Sequence, residues 1–237
     1  MNGEAFLSLL QFTDGLFPAG SYAHSFGLET YAAERTIRDA EGVERFLLSY
    51  LQGSLAPTDA VAALASRKAA ALSHHASRIE QCVVIDHCLD AMKPVIELRD
   101  ASRQMGRQVL RIAAHMGGPF ASQGLPAELF DAVEKGQMPG HHAMAFGVVG
   151  AALEWPETEM AGAYLYSSCA GLIAASLRLL SLGQLAGQRI LWALSPFIAR
   201  LAEEVQGKDM TDIWSFAPGI EIAAMRHATL DARLFRS

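Results

Sequence analysis

Residues 162–182 read GAYLYSSCAGLIAASLRLLSL, and this stretch decides the class of fold. Nearly every residue is apolar or small, and Arg178 carries the single charge. A run of about 20 apolar residues is long enough to span a bilayer. Here Ser167, Ser168, Ser176 and Ser181, with several glycines and alanines, lower the hydropathy, and no basic cluster flanks the run. The stretch therefore reads as a fully buried helix at the centre of a bundle. Its small residues let neighbouring helices approach closely.

Outward from this helix, apolar residues recur with helical spacing and strand alternation is nearly absent. Asp39 can cap a helix that carries Val43, Phe46, Leu47, Tyr50 and Leu51 on one stripe. Pro57, Thr58 and Asp59 punctuate, and another helix runs to about Leu72. Ser77 and Glu80 have capping-box spacing. Pro94 opens the next helix, which reaches about Met116 and stops at Gly117-Gly118-Pro119. Short helices are expected over 126–135 and 141–154, and the long one over 158–181. Helix resumes at Gln184, kinks or restarts at Ser195-Pro196 and ends near Val205. A loop over 207–218, a helix over 219–231 and a tail complete the chain. No repeat, low-complexity segment or linker divides it. The expectation is one all-α domain over residues 1–237, a multi-helix bundle around a central buried helix.

Apolar residues make up 51% of the chain and charged residues only 19%, below the roughly 25% usual for globular chains. That leaves apolar surface to spare for a partner. A net charge of −6 gives no electrostatic reason to bind nucleic acid or an anionic membrane. Cys82, Cys88 and Cys169 form no paired framework and no CxxC, which suits a reducing compartment. The segment MNGEAFLSLL lacks a basic region and a small-residue cleavage site, so a cytoplasmic protein is expected.

The segment Asp14 to Glu29, DGLFPAGSYAHSFGLE, departs from the helical pattern. Gly15, Pro18 and Gly20 break helix, and Ser21 is placed to cap a helix starting at Tyr22. On such a helix Tyr22, Phe26 and Glu29 share one side while His24, Gly27 and Leu28 share another. Chemistry alone favours a loop-to-helix corner with core aromatics and a hydrogen-bonded histidine. Arg99, Arg103, Arg107 and Arg111 recur every four residues and form a slowly drifting stripe. Such a stripe suits a carboxylate-bearing partner, or equally a solvated face with local pairs such as Arg103 with Asp100. The adjacent pairs His74-His75 and His141-His142 diverge rather than chelate. Cys82 and Asp86 have the spacing of half a metal site, although free cysteine behaves mainly as a small hydrophobe. No metal ligands, cofactor or catalytic residues are assigned. No P-loop, dinucleotide fingerprint, GxSxG elbow or HExxH occurs. The alternatives kept are a small helical metal-binding or metal-sensing protein and a helical hydrolase.

Five blocks, in order, bring a known family into view. FPAGSYAHSFGLE (residues 17–29) resembles the N-terminal signature of the UreF urease accessory proteins. RDASRQMGRQVLR (99–111), HAMAFG (142–147) and LGQLAGQR (182–189) resemble later blocks of that family, and EIAAMRHATLDARLFRS (221–237) resembles its C-terminal signature. Gly15 stands where the family frequently has serine. The resemblance implies an all-helical, dimerising, non-catalytic scaffold. It implies binding to the accessory protein UreD (also called UreH) and, with it, recruitment of the GTPase UreG, so that nickel reaches apo-urease. Tyr22, His24, Arg103, Arg107, Arg233 and Phe235 are the residues expected to serve partner binding. The tail is expected to be mobile in the free protein and to order when UreD binds, with Arg233 holding the ordered form.

Overall fold

The computed structural model describes residues 1–118, 120 and 124–237. They form helices joined by turns, with no strand among them. The all-α expectation holds. Asn2 opens α1 (Gly3–Thr13) by accepting the Ala5 N–H at 2.8 Å, and the helix buries Ala5, Leu9 and Phe12. Sequence reasoning assigned no helix here. Asp39 caps α3 (Ala40–Tyr50) as expected, accepting from Gly42 N at 2.8 Å.

Pro57 does not end the helix that precedes it. The chain runs from α3 through a π-helix (Leu51–Ala60) straight into α4 (Val61–Ala70). A proline inside a helix brings no N–H to the ladder and leaves the turn before it short of a donor. In that turn the carbonyl of Gly53 accepts the N–H of Phe216 at 2.7 Å. The N–H of Trp214 takes the Pro57 carbonyl at 3.3 Å, and Thr58 Oγ1 donates to Trp214 O at 2.6 Å. The late loop 213–217 thus repairs a helix laid down over 150 residues earlier.

Helix α5 covers His75–Met92 and starts two residues before the Ser77 expected to cap it. Helix α6 covers Ile96–Met116 and stops at Gly117, while Pro119 lies outside the described residues. Helices α7 (Leu125–Glu134), α8 (His142–Ala152) and α9 (Glu157–Leu179) follow close to their expected bounds. Helix α10 (Gln184–Glu204) passes through Pro196 without interruption. Helix α11 is Pro218–His227, four residues shorter at its end than expected.

The deepest layer is α4 against α8, buried from Val61 to Ser66 and from Ala143 to Gly150. Helix α9 buries Met160, Tyr164, Leu165, Cys169 and Leu172, packs along the helix that follows it (Gln184–Glu204), and touches α8 where Tyr164 meets Phe146. It is the one described helix long and apolar enough to cross a membrane, but only half of its most apolar window is buried, so the fully buried helix expected here is half covered, and α4 and α8 take the deepest place.

Candidate partner-binding site

The signature segment adopts no helix at Tyr22. Gly20 sits at φ +91°, a 3-10 turn follows over Ser21–Ala23, and His24 returns to extended backbone. Helix α2 (Leu28–Ala33) begins only after Gly27, at φ +87°. A Cβ at Gly27 would lie 3.1 Å from Ile220 O and 3.2 Å from Ala224 N. The left-handed turn and the close approach of α11 both require glycine there. Tyr22 is therefore lifted off the body with 71% of its surface exposed, while His24 two residues on is buried.

The C-terminal segment docks on this turn. Leu234 N donates to Glu29 Oε1 at 2.6 Å and Phe235 N to Glu29 Oε2 at 3.1 Å. Arg236 N donates to Ala23 O at 2.8 Å. Ser25 donates through its N–H and its hydroxyl to an oxygen of Ser237, and His24 Nδ1 lies 2.8 Å from Ser237 Oγ. Phe235 is buried, whereas Leu234 stays half exposed.

One buried cluster ties three elements together. His227, at the end of α11 and wholly buried, sets Nε2 2.8 Å from Glu29 Oε2 on α2 and Nδ1 2.7 Å from Glu97 Oε2 on α6. Arg233 Nη1 reaches Glu97 Oε1 at 3.3 Å. The expectation had Arg233 holding the ordered tail. In the structure Glu29 receives two tail N–H groups, and Arg233 is 45% exposed with its one bond to Glu97. Sequence reasoning gave Glu29 and His227 no role of their own. The signal was present, since a Glu closing one signature and a His inside another are costly to bury unpaired.

The two arginines expected to meet a partner are occupied within the chain. Arg103 donates to Asp90 Oδ1 at 2.8 Å and approaches Asp100 at 3.6 Å. Arg107 pairs with Glu134 at 2.9 Å on the exposed α6–α7 surface. Asp86 spends both oxygens on backbone, accepting from Gly140 N at 2.6 Å and His141 N at 2.7 Å. Burial pushes the Cys82 thiol up to about 12, with the nearby Asp86 adding to the shift. Among the described residues no three His, Cys, Asp or Glu side chains are placed to hold a metal ion. The adjacent histidines diverge as expected: His141 turns to Ser102 and Asp90, His142 to the ring of Tyr164.

Behind the Tyr22 turn lies a cavity of about 290 Å³, lined among others by His24, Tyr50, Lys93, His142 and Tyr164. Lys93 meets Asp59 at 3.0 Å on its wall. Burial, helped by Arg236 for His24 and by Lys93 for the other two, holds His24, His141 and His142 down at about 4. Burial pushes the Asp86 carboxyl the other way, to about 6, against its two backbone donors. Each histidine gains a proton only on unfolding between pH 6.5 and about 4, so its contribution is lost as pH falls. Folded Asp86 holds a proton over about 6 to 3.8 that the unfolded chain releases, and so opposes the trend. Three histidines against one carboxyl leave about two protons of net uptake on unfolding. The unfolding free energy should drop by on the order of 2 kcal/mol per pH unit near pH 5. Urea titrations at neutral and mildly acid pH measure this directly.

A family model described as UreF matches residues 37–195. The chain is 31% identical over 231 residues to the urease accessory protein UreF of Bacillus sp. (strain TB-90), covering 98% of each chain. Against that of Arthrobacter sp. (strain FB24) it is 32% identical over 235 residues, covering 99% of this chain and 98% of the relative. Against that of Corynebacterium glutamicum (strain R) it is 32% identical over 237 residues, covering both chains fully. The chain belongs to the UreF family of urease accessory proteins. The UreF model stops short of both signatures, but the UreF relatives align across them. The docked turn and tail are therefore shared ground for sequence comparison within the UreF family.

Proposed function

We propose that this chain is a non-catalytic scaffold of urease maturation. It binds UreD (UreH), and the pair recruits the GTPase UreG so that nickel reaches apo-urease. The chain works as a homodimer in the cytoplasm. The docked tail is the partner-competent form, and UreD binding favours it over an undocked one.

One observation carries this reading. An aromatic residue, Tyr22, stands 71% exposed on a turn whose backbone is fixed by the tail. A tyrosine offers a large rigid body with a polar tip, the kind of side chain that anchors interfaces. Fixing the backbone beforehand removes ordering cost from the binding step.

Tyr22→Ala should weaken assembly with UreD and UreG by about tenfold or more, as for an interface anchor. Its circular-dichroism spectrum and melting should stay unchanged. Arg233→Ala should keep the fold and UreD binding but fail to recruit UreG. A pull-down with both partners, alongside thermal melts, reads all of these. An unfolded Tyr22→Ala protein would assign that residue to the core instead, and normal recruitment by both variants would remove the proposal. Sedimentation of the chain at micromolar concentration, alone and with UreD, tests dimerisation.

A further inference from the structure

Arg178 is the lone charge in the last turns of α9, and its guanidinium touches both halves of the candidate site. Nη1 donates to the backbone carbonyl of Tyr22 at 3.2 Å. The guanidinium carbon lies 4.4 Å from the centroid of the Phe235 ring. A planar guanidinium can stack on an aromatic face while its in-plane N–H groups reach sideways to a carbonyl. A lysine ammonium is a point charge and cannot keep both geometries at once.

The backbone bonds of the tail reach residues 23, 25, 26 and 29 but leave Tyr22 itself aside. The Tyr22 carbonyl is held by Arg178. The carbonyls of Tyr22 and Ala23 are thus gripped side by side, one by α9 and one by the tail through Arg236 N. Phe235 closes the loop between them, since its buried ring is the platform that orients Arg178.

We propose that Arg178 is a positioning residue that makes the orientation of Tyr22 depend on the docking of the tail. When Phe235 leaves, the guanidinium loses its platform and the Tyr22 carbonyl loses a preset donor. The exposed phenol is then no longer fixed. Arg178 itself need touch no partner. This inference rests on the proposed role of Tyr22 for its consequence in assembly, but not for the coupling inside the chain.

The test is a double-substitution cycle on the full chain with Arg178→Lys and Phe235→Leu, both mild enough to keep the fold, checked by melting. Hydrogen exchange of the amides at 21–24 is read first, on the isolated protein. Phe235→Leu alone should speed exchange there by about tenfold, equivalent to about 1.4 kcal/mol. In the Arg178→Lys background the same change should add about twofold or less. Arg178→Gln, which lacks the charge as well, should behave like Arg178→Lys. Additive effects, or an unchanged turn in Arg178→Lys, overturn the proposal. Affinity for UreD with UreG is then measured across the same cycle. Coupled exchange without any change in assembly retains this inference and removes the assigned role of Tyr22. Uncoupled exchange with assembly still lost in Tyr22→Ala removes this inference and retains that role.

Discussion

Gly147→Ala is expected to destabilise the fold severely, while Gly171→Ala, the same change on another helix, stabilises it. Gly147 lies in α8 where that helix crosses α4. A Cβ there would overlap the carbonyl oxygen of Ala63 and come within 2.9 Å of Ser66 Cβ. The obstacle is backbone inside the most buried helix pair, so no rotamer change can make room. Overpacking of this sort costs about 1–3 kcal/mol and more where a backbone must move. The gain in helix propensity from glycine to alanine, about 1 kcal/mol, offsets only part of it. The net loss should be about 2 kcal/mol or more. Gly171 in α9 has nothing within 4 Å of the same added atom, so only the propensity gain remains, roughly 0.5–1 kcal/mol. Denaturant unfolding of the two variants should give opposite signs. Equal and small effects would mean that α4 and α8 do not pack as closely as described.

Glu29→Ala is the second large effect. Glu29 exposes only 7% of its side chain and faces three donors. They are the N–H groups of Leu234 and Phe235 and the ring of His227. Removing the carboxylate leaves two backbone donors and one nitrogen of the buried imidazole without a partner, while the other nitrogen keeps Glu97. Breaking such a buried pair from one side typically costs about 3–5 kcal/mol. In a chain of this size that should lower the melting temperature by on the order of 10 °C. The loss has a local signature as well, because hydrogen exchange in residues 228–237 should rise far more than in α4 or α8. Glu29→Gln keeps one acceptor and should fall between. Uniform loss of protection throughout the molecule would show that Glu29 supports the whole fold rather than the tail.

The sequence made the helices legible because their apolar stripes are local. It also made the signatures legible as blocks. What it hid is the pairing between blocks. Glu29 and His227 are 198 residues apart, and no periodicity links them. The breakers misled for a similar reason. Pro57 reads as punctuation only while the Gly53 carbonyl lacks a donor, and Phe216 supplies one from a distant loop. Ser21 reads as a helix cap until the tail claims the following backbone in extended form. The arginine stripe was correctly seen as a stripe, but Asp90 and Glu134, which occupy Arg103 and Arg107, sit on other helices.

The order in which the chain is made has a consequence for when it can act. Ser25, Glu29 and Thr30 find their partners at residues 237, 227 and 223, among the last to be synthesised. At about 5–20 residues per second, the N-terminal turn waits some 10–40 s for them. During that interval the deep α4–α8 layer can form, yet Glu29 still lacks its ligands. A chain broken or released before residue 234 would leave the Glu29 carboxylate without the N–H donors of Leu234 and Phe235. The clasp between the two ends thereby closes only after the helix that carries His227 and the segment that follows it have been made.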